Sequence, residues 1–314
     1  MKSLSKNKLT TEQINEITKK AFGQIANGYT ENNIGEFSAL YIIKLAEKDV
    51  ILKIAPKDSV RVLRYEKNAM QREVYALRLL KAKTNIPVPE VLFYDTSKTL
   101  CDSEYFFMEK IDGDNFHSAS SELSAEQNSS IITQLGSFNR QINEIKSEKF
   151  GYDNQFDDWK TAFSNMIFDL LKDGKDMEVK LPLPYDEIEN IINSFIYACE
   201  DVKISQLVHW DLWNGNALVK DGKITGIIDF ERSLSGDYLM EFYFRKFTIN
   251  NDFNTGYGID LATLDKNANV RLALYDLYLA IILMVEYYYR KYEVSHYAWR
   301  EEEFNKASMA FEKL

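Results

Sequence analysis

Cysteine, histidine and proline are scarce in this chain. Its 314 residues hold two cysteines, three histidines and five prolines. Cys101 and Cys199 stand far apart, with neither a CxxC pair nor a zinc spacing, so a redox motif and a zinc module are excluded and a reducing cytoplasm fits. No two histidines lie at helical spacing, which excludes a His-based metal site. Positive charge is short as well. Thirty-eight Lys and Arg against 48 Asp and Glu leave a net charge of −10. Nucleic-acid binding needs clustered cations to displace counterions, and an acidic chain suits a cationic ligand, or an anion held with a divalent metal, better. Long apolar runs are missing too. The longest, Leu277 to Val285, is bounded by Asp276 and Glu286 and is too short to span a bilayer. The opening MKSLSKNKLTTEQ has lysines but no apolar core, so a secretory signal is not expected. The chain reads as a cytoplasmic protein, a monomer, with neither membrane nor nucleic acid as partner.

What is present is an ordinary globular composition, 45% apolar and 27% charged, in a chain long enough for two lobes. Thr10 with Gln13 forms a capping-box signature, and Leu9 with Ile14 a hydrophobic staple. Two strand-like runs follow, Ala39 to Ala46 and Asp49 to Ala55, separated only by Glu47 and Lys48, which predicts a tight hairpin. A helix is expected from Tyr65 to Ala82, with Met70, Val74, Leu77 and Leu80 on one stripe. Pro87 and Pro89 forbid its continuation. VLFYD and EYFFMEK read as two further strands. From about Ser124 helical periods dominate (Ser124 to Ile145, Phe156 to Leu171, Asp186 to Cys199). They are interrupted by one β patch, QLVHWDLWNGNALVKDGKITGIIDFE, with a hairpin turn at Asp221-Gly222. The expected fold is α+β in two lobes: a small antiparallel β lobe with one long helix, residues 1–110, and a larger, mainly helical lobe, residues 111–314. The hinge is placed near Met108 to Gly113.

The β patch carries the chemistry. An Asp opening a loop, here Asp211, can orient a substrate hydroxyl and accept its proton. Asn216, five residues later, can turn its oxygen to a metal, and His209 can pin the loop through the backbone. Asp229 ends the apolar strand of ITGIIDFE. It and Asn216 flank one hairpin and could share a metal, and two hard oxygen ligands plus phosphate oxygens and waters suit Mg²⁺. The ordinary alternative is a polar turn followed by a cap. In this order, between apolar strands, the residues instead form a documented signature set.

VHWDLWNGNALV…GKITGIIDFERSLSGD resembles the catalytic loop and metal segment of the aminoglycoside phosphotransferase family, a branch of the protein-kinase-like fold. The resemblance implies that Asp211 is the catalytic Asp, that Asn216 and Asp229 hold Mg²⁺, and that Asp237 is a structural Asp, with Glu241 as the family's further carboxylate. It also implies a strand Lys gripping nucleotide phosphates and a helix Glu orienting it. Lys53, inside DVILKIA, and Glu73, twenty residues on, fit those places. The purine would meet the linker YFFMEKIDG, with Met108 beside it, the Glu109 carbonyl and the Ile111 amide. No GxGxxG precedes Lys53, so Asn32 to Phe37 is taken as the phosphate-covering turn. Trp210 stands where a regulated kinase carries Arg, Glu231 where DFG has Gly, and no APE follows. These departures point to a small-molecule kinase, with ATP or GTP as donor and the hydroxyl of an aminoglycoside-like, cationic molecule as acceptor. Choline, homoserine, methylthio-sugar and fructosamine kinases of the same fold are the nearest alternatives, and a nucleotide-binding pseudokinase is another. Acceptor carboxylates would come from Glu241, Asp276, Glu286 and Arg300 to Phe304. Asp211 is expected to keep an ordinary pKa near 4.

Overall fold

The computed structural model describes residues 6–32, 37–247 and 251–314. Helix α1 (Thr11–Phe22) starts at the expected capping box: Thr10 Oγ1 accepts from the Gln13 amide and Gln13 Oε1 from the Thr10 amide. Its Ile14 and Ile17 are buried against one face of a five-stranded antiparallel sheet. The sheet runs β1 (Gly28–Asn32), β2 (Ala39–Lys44), β3 (Asp49–Ile54), β5 (Tyr105–Glu109), β4 (Val91–Asp95) in spatial order. Helix α2 (Ala69–Lys83) packs Met70, Val74, Leu77 and Leu80 into the main core.

Three sequence expectations shift here. The hairpin turn is longer than two residues. Lys44 pairs with Asp49, and Leu45–Lys48 form a four-residue loop closed by the Leu45 amide on the Lys48 carbonyl at 3.0 Å. Glu47 and Lys48 lack the Gly or Asn that a two-residue turn of positive φ demands. The helix starts at Ala69 rather than Tyr65. Asn68 stands at φ 59°, a left-handed conformation that breaks any helical run just before Ala69, Arg72 donates to the Tyr65 and Lys67 carbonyls, and only a short 3-10 turn, Arg64–Glu66, forms before it. Strand β1 was not expected at all, because GYTEN has turn composition. Of the proposed phosphate-covering turn, residues 33–36 lie outside the described residues.

Beyond β6 (Asp114–Asn115) the fold is mainly helical: α3 (Phe116–Ala119), α4 (Ala125–Asn143), α5 (Trp159–Asp176) and α6 (Tyr185–Phe195), then α7 (Asp252–Tyr257), α8 (Lys266–Arg290) and α9 (Tyr297–Met309). Two small sheets sit among them, β10-β9-β6 and β11-β8-β7, built from β7 (Lys146–Ser147), β8 (Ser205–Val208), β9 (Ala217–Lys220), β10 (Lys223–Ile227) and β11 (Leu234–Gly236). The turn joining β9 to β10 is the expected one, with positive φ at both Asp221 and Gly222. Helix α8 is apolar enough to cross a membrane by length and composition, but 83% of that window is buried inside the protein. It is a core helix.

Candidate active site

The stretch from His209 to Asn216 bridges β8 to β9, and therefore two different sheets. Its backbone is pinned from below by Glu241, which is 2% exposed and accepts from the His209 amide at 2.6 Å and the Trp210 amide at 3.3 Å. These bonds hold Trp210 at φ 63°, a left-handed conformation that costs a bulky residue energy and persists only where its surroundings over-determine it. Trp210 itself is fully buried and stacks on Tyr278 at 5.8 Å. It anchors the loop in the helical core. His209 spans the loop as expected: Nδ1 accepts from the Asp211 amide at 3.2 Å and Nε2 reaches the Ile228 carbonyl at 3.1 Å. Trp213 is 40% exposed and lies over Gly215, where any Cβ would collide with the indole.

Asp211 is half-buried. The Asn216 side chain donates to its carbonyl at 2.8 Å and to its carboxylate at 3.3 Å, which commits the amide nitrogen and turns Asn216 Oδ1 to the other side. The Ile228 amide closes the hairpin base on the Asn216 carbonyl at 3.0 Å. Asp229 follows at φ 67°, a second left-handed residue beside the first. Asn216 and Asp229 thus bracket the β9–β10 hairpin.

Lys53 brings the β lobe to this point. Its Nζ lies 2.6 Å from Glu73 Oε2, 2.8 Å from Asp229 Oδ1 and 3.1 Å from Glu231 Oε2. The strand Lys and helix Glu are therefore paired, and Asp229 joins them. Glu231 is the residue sequence reasoning left without a role. The available signal was its closeness in sequence, two residues beyond Asp229; the chain between them is not extended, Asp229 standing at positive φ. Carboxylate oxygens of Glu73, Asp229 and Glu231 lie within 4.8 Å of one another. One ammonium against three carboxylates leaves an excess of two negative charges. Together with Asn216 Oδ1 this makes a hard-oxygen donor set that fits Mg²⁺.

The electrostatics follow from that crowding. Burial and the neighbouring carboxylates push Glu73 and Glu231 up, whereas Lys53 outweighs burial at Asp229 and holds it down. Asp211 departs from the expected ordinary value. Burial, with Asp229, Glu231 and Glu286 adding to it, pushes it up to about 7 against the opposing charge of Arg232. A carboxyl facing three other carboxylates cannot keep a solvent-like pKa.

Three sequence expectations about acceptor carboxylates are overturned. Glu241 faces no cleft, being committed to the loop amides and to Asn143. Glu286 is buried and accepts from Arg232 at 2.7 Å and from the Tyr65 hydroxyl. Asp276 is likewise buried within α8. In α9, Glu302 and Glu303 pair with Lys306. Asp237 is structural, as expected: it accepts from Arg271 Nε at 2.8 Å and the Tyr275 hydroxyl at 2.7 Å. In the linker, Met108 is buried in β5 between Ile51 and Val91. Glu109 is exposed, and Ile111 packs against Gly226 of β10.

Comparison with known proteins bears on the family and the fold. A family model described as "Phosphotransferase enzyme family" matches residues 30–257. Among curated proteins, a subtelomeric hrmA-associated cluster protein of Aspergillus fumigatus is 26% identical over 129 residues, 40% of this chain. The chain spans about a quarter of the length of the curated relatives it matches, the match covering 25% of theirs. Among solved structures, a thermostable mutant of the aminoglycoside phosphotransferase APH(4)-Ia, in complex with AMP-PNP and hygromycin B, aligns with TM-score 0.68 at 15% identity, covering 95% of this chain and 98% of that one. A Thermobifida fusca YX-ER1 protein assigned as a fructosamine-3-kinase aligns with TM-score 0.70 at 17% identity, over 95% and 98%. The streptomycin–ATP complex of APH(2")-IIa gives 0.66 at 18% identity, over 97% and 99%. At such identities these structures show a shared kinase-like fold, with a small sheet lobe and a larger helical region. The family model, by contrast, covers most of the sequence, and the chain belongs to the phosphotransferase enzyme family.

Proposed function

We propose that this chain is a small-molecule kinase, transferring the γ-phosphoryl of ATP or GTP to the hydroxyl of a sugar-like, amine-bearing acceptor. The carrying observation is the convergence of Lys53, Glu73, Asp229 and Glu231 within hydrogen-bonding reach, next to the Asp211–Asn216 loop. Residues 1–110 form the nucleotide lobe in this reading and residues 111–314 the catalytic and acceptor lobe. Lys53, oriented by Glu73, grips the phosphates. The purine edge bonds to the backbone of Glu109 and Ile111 beside Met108. Asn216, Asp229 and Glu231 would hold Mg²⁺, which would supply neutralising charge to the phosphates. Asp211 orients the acceptor hydroxyl and takes its proton, and most of the rate comes from positioning and electrostatics.

One feature supports a ring-shaped, cationic acceptor. Trp213 exposes its indole two residues from Asp211, its amide 3.0 Å from the Asp211 carbonyl, and a flat aromatic face suits a sugar ring or an amine. A fructosamine acceptor is the second reading, since Trp213 serves one sugar ring as well as another. The test is a Mg²⁺-dependent nucleotide-consumption screen of ATP and GTP against hygromycin B, streptomycin, a fructosamine, choline and homoserine. Turnover with an amino sugar and not with choline or homoserine supports the first reading. Turnover with the fructosamine alone selects the second. Nucleotide binding without transfer to any acceptor would mark a pseudokinase.

A further inference from the structure

The turn that follows the linker is fastened to the catalytic loop. Strand β6 pairs with β9, Asp114 opposite Val219 and Asn115 opposite Leu218, and β9 begins at the residue after Asn216. The Asn115 side chain serves both ends of this contact. Its oxygen caps α3 by accepting from the Ser118 amide at 3.4 Å, and its nitrogen donates to the Gly215 carbonyl. Phe116 then turns into the core, fully buried, and His117 turns out to solvent. There its imidazole meets the Trp213 indole, with 5.2 Å between ring centres and 55° between planes.

Packing accounts for Phe116 and Trp210, which are fully buried, and leaves the exposed pair unexplained. The turn is already held by Asn115 and by the β6–β9 pairing, so it does not need a ring contact at its surface. The indole has no inward place to go. It fills the space that a Cβ on Gly215 would need, its nearest ring atom 2.2 Å from that position. Among the described residues, no protein group pairs with either ring nitrogen of His117. An indole open to solvent thus adjoins an imidazole whose two nitrogens are available for hydrogen bonds. The pair is tied to Asp211 through the loop. The Trp213 amide donates to the Asp211 carbonyl and the Asn216 amide to the Trp213 carbonyl, each at 3.0 Å. Two peptide units span at most about 7 Å, so a six-membered ring resting on the indole can bring a hydroxyl to the Asp211 carboxylate.

We propose that His117 is an acceptor-specificity residue: with Trp213 it forms a platform for a carbohydrate ring. The ring's C–H face rests on the indole, and His117 hydrogen-bonds a ring hydroxyl or amine other than the one that is phosphorylated. The platform's existence rests on the two rings, and its use as an acceptor site rests on the kinase reading. Small-molecule sites draw affinity from aromatic walls and orientation from a few placed polar groups. A sugar engages both halves here. Choline engages one, because its quaternary ammonium has no N–H and its single hydroxyl is the one that Asp211 takes. Homoserine has no ring face to offer. A site that hydrogen-bonds its ligand discriminates against analogues lacking the partner group, so the pair selects amino sugars over small amino alcohols.

The test titrates hygromycin B, a fructosamine and choline into the full-length chain by calorimetry, without nucleotide, in the wild type and in His117→Ala, His117→Phe and His117→Gln. At least one sugar probe should bind the wild type more tightly than choline. Its affinity should fall about tenfold in both the Ala and the Phe variant, as expected for a lost hydrogen bond, and recover in part in His117→Gln. Where that probe is phosphorylated, its KM should rise to match, with kcat within a few-fold. A variant-free check on location uses the four tryptophans: Trp159 and Trp210 are fully buried, so in a Trp299→Phe chain acrylamide quenching reports on Trp213. The bound sugar should shield it. Full affinity in His117→Phe reduces His117 to a packing ring and overturns the proposal. Failure of both sugars to bind the wild type overturns it too, as does quenching of Trp213 unchanged by a sugar that binds. A loss of MgAMP-PNP affinity in His117→Ala, with sugar affinity kept, assigns the platform to the donor's ribose instead. Sugar binding that shields Trp213 in a chain that never binds MgAMP-PNP leaves the platform standing and removes the kinase reading.

Discussion

Among the described residues, Lys53 is the one cation paired with Glu73, Asp229 and Glu231, and that imbalance shapes what each side chain can do. Glu73 is 1% exposed and serves Lys53. Asp229, held at positive φ, points its carboxylate at the same ammonium, and Glu231 stands opposite. Replacing Glu231 with Gln keeps the shape and removes one charge from the donor set. The Mg²⁺ concentration for half-maximal turnover should rise by about tenfold or more, the range seen when a supporting group of a metal site is lost, while MgATP turnover at saturating Mg²⁺ stays within a few-fold. A titration of rate against Mg²⁺ decides it, and an unchanged midpoint removes Glu231 from the metal. Asp211→Ala should lower kcat by about 10²–10⁴, the usual contribution of a positioned base, with the melting temperature preserved or raised, because a crowded carboxyl is removed. Near-normal turnover in that folded variant would falsify the role given to Asp211.

At the scale of elements, what was legible in the sequence was local. The capping box of α1, the Asp221-Gly222 turn and the apolar stripe of α2 depend on neighbours within a few positions, and all three stand where the sequence puts them. What was not legible was set from far away. Glu241, an acceptor candidate on sequence, is turned inward by loop amides some thirty positions earlier. The crossing of α4 and α7 is similar. A Cβ on Gly136 would lie 2.1 Å from the Phe253 carbonyl oxygen, and one on Gly256 1.9 Å from that of Thr133. Both glycines sit inside helices, where they cost about 1 kcal/mol each against Ala, and close backbone approach repays that. Gly136→Ala should destabilise by about 1–3 kcal/mol through forced separation, read as a lower urea midpoint. A second long-range link is Asp95, 7% exposed at the end of β4, which accepts from Lys20 Nζ of α1 and the Tyr105 hydroxyl at 2.7 Å. Burial alone would raise its pKa, but Lys20, Ser97 and Tyr105 together hold the carboxyl below the usual range. A carboxyl more acidic in the folded chain than unfolded stabilises above its unfolded pKa of about 3.9, and that stability is lost as pH falls. Asp95→Asn should therefore cost about 1–3 kcal/mol at pH 7 and progressively less from about pH 5 downward. Urea midpoints at pH 7 and pH 3 measure the difference, and an equal cost at both values contradicts the assignment.

For the whole molecule, the consequence is that the two lobes meet through charge at more than one place. The first is Lys53 on Asp229 and Glu231; apart from it, Arg64 pairs with Asp176 of α5, Glu66 with Arg290 of α8 and Arg72 with Asp153. A nucleotide with Mg²⁺ placed between the lobes adds opposite charge at the first place only, where the carboxylates outnumber Lys53. Binding to the folded chain alone stabilises it by mass action, by about 2.7 kcal/mol when ligand stands at a hundred times its Kd. A chain of this size then gains roughly 4 °C in Tm, if it melts as one cooperative unit. The gain should require both partners. Mg²⁺ with AMP-PNP raises Tm, and AMP-PNP with EDTA does so far less, because the triphosphate would face Glu73, Asp229 and Glu231 unscreened. Lys53→Met gives the sharper contrast. Without nucleotide it strips the cation from buried carboxylates, a loss of about 3–5 kcal/mol when one partner of a buried pair goes, and lowering the pH toward 5 should return part of that stability by letting Glu73 or Glu231 take a proton. With Mg²⁺ present the divalent ion replaces the missing charge, so added Mg²⁺ alone should raise the variant's Tm more than the wild type's. Differential scanning calorimetry of both proteins, with and without Mg²⁺, makes the comparison directly. An identical Mg²⁺ response in the two would place the cation away from these carboxylates.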